Sequence, residues 1–350
     1  MKKGKFNILL VLTGGTICSF ADSKGERASK TKEAQALIVE NFRNSNSVYK
    51  SEDCVTFTPS FLLDILSENM TLTHWNTLIG GLKKQDFSLY DGVIILHGTD
   101  TLAYTASLLS LLLAGIKIPV FLVSSQLPIY EKEANGNDNF KTAVELIING
   151  VKPNIYAVYK NSDGKMYVHY GCHLLQCANH SNDFYSCDMT EIDEKMVIFE
   201  GEKTKAETML LDKIDSLSSR VLKIEPYVGI DYSTFNLDGV SAVLHGTYHS
   251  STLSVNPYKE ERESPDSVMY LKKLCDDLTP EIPIFIHPCD QNAYSYETTG
   301  IALRSGITPI NGLTSETAYV KLLVGVSLGY QCAELINFVN ADINMESIGK

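Results

Sequence analysis

The sequence lacks the features that mark several large classes of protein. It has no run of basic residues, and 30 Lys plus Arg against 42 Asp plus Glu give a net charge of −12. A chain with this charge is poorly suited to clamping phosphates, so we expect no nucleic-acid partner. It also has no G-x-x-x-x-G-K-[ST] phosphate loop, no complete G-x-G-x-x-G fingerprint and no G-x-S-x-G nucleophile elbow. These absences argue against P-loop NTPases, dinucleotide-binding enzymes and α/β-hydrolases.

Long apolar segments are also scarce. The apolar run at residues 8–12 is too short for a signal-peptide core and ends in Thr-Gly-Gly, so no secretion signal is predicted. The longest run, residues 106–123, is interrupted by Gly115, Lys117 and Pro119. That pattern favours a buried helix followed by a buried strand over a membrane span. We therefore expect a cytoplasmic protein with no membrane partner.

The eight cysteines include no C-x-x-C pair. Cys172, Cys177 and Cys187 lie near His173 and His180 along the chain, so a zinc site has to be considered. Structural zinc sites normally contain closely paired cysteines, which this spacing does not provide. We therefore predict no metal site.

Short apolar runs alternate with helical patterns along most of the 350 residues. Continuous apolar strands separated by helices are typical of a parallel sheet covered on both faces, so the predicted fold class is α/β. The length favours two domains. We predict a larger parallel-sheet domain at 1–190, a linker at 191–218 rich in Asp, Glu, Lys and Ser, and a smaller α/β domain at 219–350.

Two predicted strand ends carry unusual residues, namely 13–17 (TGGTI) and 97–101 (HGTDT). Ligands of open parallel sheets bind beyond the carboxyl ends of the strands. Glycine there allows close backbone approach and leaves N–H groups to hold an anion or oxyanion. Thr and Asp at a helix start are also good N-caps, so helix capping is the alternative interpretation.

These two segments resemble the two signatures of the bacterial-type L-asparaginase family. The stretch 90–106 is especially similar to the cytoplasmic type I branch. Smaller similarities lie at 67–70 (SENM), 125–129 (SQLPI) and 135–139 (NGNDN). The collinear resemblance covers most of residues 5–185 and, more weakly, 220–335.

The resemblance implies hydrolysis of L-asparagine to L-aspartate and ammonia, with no cofactor. Thr16 would be the nucleophile, Thr99 would hold or activate water, and Asp100 would bind the substrate's amino group. Backbone N–H groups of both threonines would form the oxyanion hole. The resemblance also implies a homodimer or homotetramer. Three further residues would contact the substrate: Ser67, Glu68 and Ser125.

The sequence departs from the family pattern at two catalytic positions. Gln176 stands where the family has the lysine of its Thr-Asp-Lys set, and a glutamine side chain cannot carry a proton at neutral pH. Lys165 is nearby but on the wrong side of the strand. The family's mobile-loop tyrosine is also missing, and Arg27 and Ser29 lie near its expected place.

The segment 244–251 stands where type I enzymes have a turn that reaches the neighbouring subunit's active site. Its residues His245, Tyr248 and His249 are therefore candidates for the missing acid-base groups, because histidine titrates near neutral pH. The alternative is that they are ordinary polar residues at a strand end. Asp290 and Glu297 are further candidates.

Two other functions remain open. The same machinery could act on a different small amide, such as D-asparagine, glutamine or an N-acylated or peptide amide. The protein could also be an amino-acid-binding homologue with little turnover, since the lysine and the tyrosine are missing. Action on a tRNA-linked amide is not expected, because this chain has neither that branch's extra N-terminal domain nor a basic surface.

Overall fold

The computed structural model describes residues 4–193, 197–204, 206–218, 220–255, 264–289 and 296–348. The chain divides into two compact units, Met1–Asp215 with Ile343–Met345, and Ser216–Asp342 with Glu346–Lys350. The expected linker at 191–218 lies mostly in the first unit, and its residues 194–196 and 205 are outside the described part. Leu211 and Ile214 from this stretch are buried, which explains the assignment.

The first unit contains a large sheet, a small hairpin and several helices. Its strands are β1 (Phe6–Gly14), β2 (Ser19–Ala21), β3 (Arg27–Ser29), β4 (Val55–Ile65), β5 (Gly92–Leu96), β6 (Val120–Val123), β7 (Ile155–Lys160), β8 (Met166–Tyr170) and β9 (Thr190–Ile192). Its helices are α1 (Thr31–Asn44), α2 (Leu72–Lys83), α3 (Leu102–Leu112) and α4 (Gly136–Ile148). In the described part of the chain, no helix is both long and apolar enough to cross a membrane.

The large sheet has seven strands in the order β4-β1-β5-β6-β7-β8-β9. The strands from β4 to β7 are parallel, as the apolar runs predicted, whereas β8 and β9 pair antiparallel. The cause is the short turn between β7 and β8, in which Gly164 has φ 80° and the Asn161 N–H donates to the Lys165 carbonyl. A parallel neighbour would need a long crossover, so a turn this short enforces the antiparallel pair.

The strands β5 and β6 are buried along their whole length, which shows that both faces of the sheet are covered. On one face Ile8, Leu10 and Leu12 of β1 share a core with residues of α1 and α4. Elsewhere the Trp75 indole N–H of α2 donates to Thr105 Oγ1 of α3 at 3.1 Å. Each fully buried aliphatic side chain contributes about 1.5–3 kcal/mol, so this core fixes the strand ends firmly.

The second unit is also α/β, as predicted, with a parallel sheet of order β10-β11-β12-β13 in its described part. Its strands are β10 (Arg220–Ile224), β11 (Val240–Gly246), β12 (Ile284–His287) and β13 (Thr308–Pro309). Its helices are α5 (Val268–Asp276), α6 (Glu297–Arg304), α7 (Ser315–Ser327) and α8 (Cys332–Asn340). Residues of α5 and α6 share an apolar core with β11 and β12.

The ends of β1 and β5 touch through two glycines. The strands are parallel neighbours, with Leu12 opposite Leu96. A Cβ atom added to Gly15 would lie 2.1 Å from the Gly98 Cα atom, and Gly15 has φ +85°. Both the contact and the left-handed backbone therefore require glycine at position 15.

We expect Gly15→Ala to lower the free energy of unfolding by at least about 2 kcal/mol more than Gly25→Ala does. Gly25 is a matched control because it has φ +83° with nothing within 4 Å of an added Cβ, so it reports the left-handed penalty alone. That penalty is about 1–2 kcal/mol. Urea unfolding followed by circular dichroism measures both variants. Equal losses would show that the Gly15–Gly98 contact is not tight.

Candidate active site

Thr16 lies directly after the tight end of β1. It begins a short 3-10 turn with Ile17 and Cys18, whose side chains are buried and anchor the turn. The Cys18 N–H donates to the Gly15 carbonyl at 2.9 Å, and Ser19 Oγ donates to the Thr16 carbonyl at 2.9 Å. Thr16 itself is only partly buried, so part of this residue is exposed to solvent.

Asp100 is held by Ser67, which follows β4. Ser67 Oγ donates to Asp100 Oδ2 at 3.1 Å and accepts from the Asp100 N–H at 3.1 Å. Thr101, the residue before α3, makes no side-chain cap and instead donates its hydroxyl to the Ser67 carbonyl at 3.0 Å. The Thr101 side chain therefore links the start of α3 to Ser67, and it does not cap the helix as the alternative interpretation proposed.

The predicted substrate contacts differ in their accessibility. Ser67 is buried and already bonded to Asp100, whereas Glu68 is exposed. Ser125 is fully buried, with its Oγ 2.6 Å from the Leu127 carbonyl oxygen and accepting from the Gly136 N–H at 3.0 Å. The Ser125 hydroxyl is thus engaged at the start of α4.

Gln176 does lie beside Asp100, where the sequence places the family lysine. Its amide nitrogen donates to the Asp100 backbone carbonyl, so this contact does not reach the carboxylate. Both residues border a cavity of about 280 Å³. Its walls also include Thr99, Gln126, Tyr159, Cys177, Ala178, Asn179, His180, Ser181, Asn182 and Phe184.

Two ionisable residues of the cavity wall, Tyr159 and Cys177, are poorly suited to proton transfer at neutral pH. Burial raises the pKa of Tyr159 to about 12 and also raises the pKa of Cys177. The Cys177 thiol contacts the carbonyl oxygens of Ser181 at 3.2 Å and Asp183 at 3.3 Å. A raised pKa lowers the fraction of Cys177 that is present as the reactive thiolate at neutral pH.

His97, two residues before Thr99, is completely buried, and its Nδ1 lies 2.8 Å from the Gly98 carbonyl oxygen. Burial lowers the His97 pKa to about 4, against smaller opposing effects from that carbonyl and from Asp100. The ring is therefore neutral at physiological pH and positions the strand end without exchanging protons.

Arg27 and Ser29, which lie near the expected place of the family's loop tyrosine, form strand β3 of the hairpin with β2. Arg27 pairs with Glu131 at 3.0 Å, and Ser29 Oγ donates to Asp64 at 2.6 Å. Neither Arg27 nor Ser29 can replace the phenol group of the family's loop tyrosine. Lys165 pairs with Glu191 at 2.8 Å, on the β8–β9 side of the sheet.

Of the candidates in the second unit, His245 lies in β11, and Tyr248 and His249 come shortly after this strand. Both ring nitrogens of His245 are engaged, with Nε2 2.6 Å from the Tyr232 hydroxyl and Nδ1 2.5 Å from the Gly246 carbonyl oxygen. Burial lowers the His245 pKa. Tyr248 and His249 are exposed. A role of Tyr248 and His249 in a neighbour's site stays a prediction. Of the two further candidates, Glu297 begins α6 and Asp290 lies outside the described residues.

Sequence reasoning missed the loop that walls the cavity. His180, Ser181 and Asn182 carry no recognisable motif, and only their proximity to Gln176 along the chain could have indicated them. It also missed the link from Asn135 to the cavity wall, where Asn135 Oδ1 accepts from the Gln126 N–H at 3.0 Å.

Thr16 and Thr99 each follow one of two touching glycine strand ends, and Asp100 comes directly after Thr99. Hydroxyls with backbone N–H groups at such strand ends are typical of amide hydrolases that use a hydroxyl nucleophile. A sequence model of the family described as "Asparaginase, N-terminal" matches residues 7–202. The chain belongs to the asparaginase family and is an asparaginase-like amidohydrolase.

Curated relatives include two proteins of Thermococcus kodakarensis. One is a subunit of its glutamyl-tRNA(Gln) amidotransferase, which is 26% identical over 333 residues, covering 92% of this chain and 72% of that protein. The other is its L-asparaginase, which is 35% identical over 152 residues, covering 43% of each chain.

Solved structures share the fold. The thermostable L-asparaginase of Thermococcus kodakarensis superposes with a TM-score of 0.76 at 22% identity, covering 98% of this chain and 100% of that one. L-asparaginase I of Vibrio cholerae gives 0.72 at 19% identity, covering 98% and 99%. At these identities the likeness establishes the fold alone.

Proposed function

We propose that the protein hydrolyses L-asparagine to L-aspartate and ammonia, with Thr16 as the nucleophile. The observation that carries this proposal is the Gly15–Gly98 contact, because each threonine follows one of the two touching strand ends. The family membership supports the same reaction, as does the printed name of the L-asparaginase relative.

In the proposed reaction, the Thr16 hydroxyl oxygen attacks the side-chain amide carbon, and backbone N–H groups of Thr16 and Thr99 stabilise the oxyanion. The carbon–nitrogen bond then breaks, and the nitrogen leaves as ammonia with the threonine proton. Water held by Thr99 attacks the resulting ester, releasing aspartate and restoring the hydroxyl. Asp100 binds the substrate ammonium group and is oriented by Ser67.

Gln176 stands where the family has a lysine, and this difference affects the proposed rate and the route of the proton. A weak threonine hydroxyl needs a nearby base, and glutamine offers hydrogen bonds without proton exchange. Gln176 instead fixes the Asp100 backbone. We therefore propose that the reaction proceeds slowly, with water as the proton carrier.

We expect Thr16→Ala to lower kcat for L-asparagine by about a thousandfold or more, because it removes the nucleophile. Thr16→Ser is the matched control, since it keeps a hydroxyl and should retain measurable turnover. Ammonia release measures both variants. Unchanged kcat in Thr16→Ala would reject the nucleophile assignment.

We expect Gln176→Lys to raise kcat at least about tenfold, because it restores a proton carrier beside Asp100. Gln176→Met is the control for side-chain length and should not raise kcat. The measurement is the kcat of each purified variant at saturating L-asparagine. A lysine variant no faster than the methionine variant would show that proton transfer at this position does not limit turnover.

A second candidate is the same chemistry on a different amide. It is favoured by Gln176 and by the altered loop that carries Arg27, both of which depart from the family pattern. The printed name of the amidotransferase relative, whose match spans 92% of this chain, also raises a glutamyl-tRNA substrate and a partner subunit. In the ammonia assay, a higher kcat/KM for L-glutamine or D-asparagine than for L-asparagine would favour this candidate.

We further propose a cytoplasmic homodimer or homotetramer that takes a small amino-acid amide and binds neither nucleic acid nor membrane. In that assembly, the exposed Tyr248 and His249 would contribute to a neighbour's site. His245 would first have to leave its contacts with Tyr232 and Gly246.

A further inference from the structure

The loop that walls the Asp100 cavity is closed by a narrow neck. An isolated antiparallel bridge joins Leu174 to Ser186, and the Leu175 N–H donates to the Tyr185 carbonyl at 3.0 Å. The residues between these arms include Gln176 and several of the cavity's lining residues. Anything that ties the two arms together at the neck therefore also fixes the cavity wall.

Three potential metal ligands lie at this neck. His173 is on one arm, and Cys187 and Asp188 are on the other. One donor atom from each residue lies within 4.8 Å of the other two. His173 Nδ1 is 2.6 Å from Asp188 Oδ2, and Cys187 Sγ is 4.0 Å from Asp188 Oδ1.

The chemistry of these donors indicates which ion they suit. A nitrogen, sulfur and oxygen set fits Zn²⁺, whereas Mg²⁺ and Ca²⁺ prefer oxygen ligands alone. Zinc–ligand distances are about 2.0–2.3 Å, so the present spacing needs only small side-chain adjustments. His173 is 6% exposed, while Cys187 is exposed and Asp188 is half-buried, so an ion can enter from solvent.

We propose that His173, Cys187 and Asp188 bind one Zn²⁺ ion, with water as the fourth ligand. Coordination takes Cys187 as the thiolate and His173 as the neutral imidazole, so the thiol proton and the extra ring proton of His173 both pass to solvent. Because the ligands come from both arms, the bound ion clamps the loop that carries Gln176. Metal binding does not depend on the proposed reaction.

This proposal departs from the sequence-based expectation of no metal. That expectation rested on the missing C-x-x-C pair and considered Cys172, Cys177 and Cys187 together with His173 and His180. Among the described residues, the fold groups two of these, His173 and Cys187, with Asp188. Asp188 was not considered, because a single aspartate carries no spacing signal.

The test uses the full chain, stripped with a chelator and titrated with Co²⁺, whose thiolate charge-transfer absorption reports a Cys ligand. We expect one Co²⁺ per chain, displaced by Zn²⁺. Cys187→Ser should abolish the thiolate band and weaken Zn²⁺ binding at least about tenfold. Cys332→Ser, which changes another exposed cysteine, should leave both unchanged. No band in the parent protein, or a full band in Cys187→Ser, would overturn the proposal.

Asp188→Asn keeps both the thiol and the ring, so it separates ligand loss from misfolding. It should retain a thiolate band but weaken Zn²⁺ binding, whereas unchanged affinity would remove Asp188 from the site.

Hydrogen exchange tests the clamp itself. Zn²⁺ should slow amide exchange across residues 175–185 in the parent protein and not in Cys187→Ser. Equal exchange with and without bound Zn²⁺ would overturn the clamp.

Discussion

The close approach of three neighbouring strand ends is the constraint on which the candidate site depends. An added Cβ on Gly14 would meet the Ile65 carbonyl oxygen at 2.0 Å, and one on Gly98 would meet Ser67 Oγ at 2.3 Å. Together with the Gly15–Gly98 contact, these approaches bring the ends of β4, β1 and β5 together without side chains between them. The residues that follow these ends are Ser67, Thr16 and Thr99, so the backbone packing itself assembles the polar groups.

The electrostatics of the cavity follow from this packing. Asp100 is the carboxylate among its lining residues, and it is oriented by a neutral hydroxyl and a neutral amide. Burial keeps His97 and Tyr159 neutral, since it lowers the pKa of His97 to about 4 and raises that of Tyr159 to about 12. A local negative charge of this kind suits an ammonium group on a small substrate, independently of the net charge of −12.

Much of this arrangement could be predicted from the sequence, because apolar runs fixed the strands and the two glycine-threonine segments stood at strand ends. The position of Gln176 beside Asp100 also followed from the collinear resemblance. The antiparallel β7–β8 pair was missed because it depends on one short turn. The commitment of Ser67 and Ser125 to internal hydrogen bonds was missed as well, since partners distant in sequence determine it.

Covalent capture of the nucleophile tests the central claim most directly. A diazoketone analogue of asparagine places an alkylating carbon where the amide would lie, and peptide mapping by mass spectrometry then locates the label. We expect one label per chain, on Thr16, with protection by excess L-aspartate. A label on Thr99 or Cys177 instead, or turnover of asparagine by protein that is fully labelled on Thr16, would contradict the assignment of Thr16 as the nucleophile.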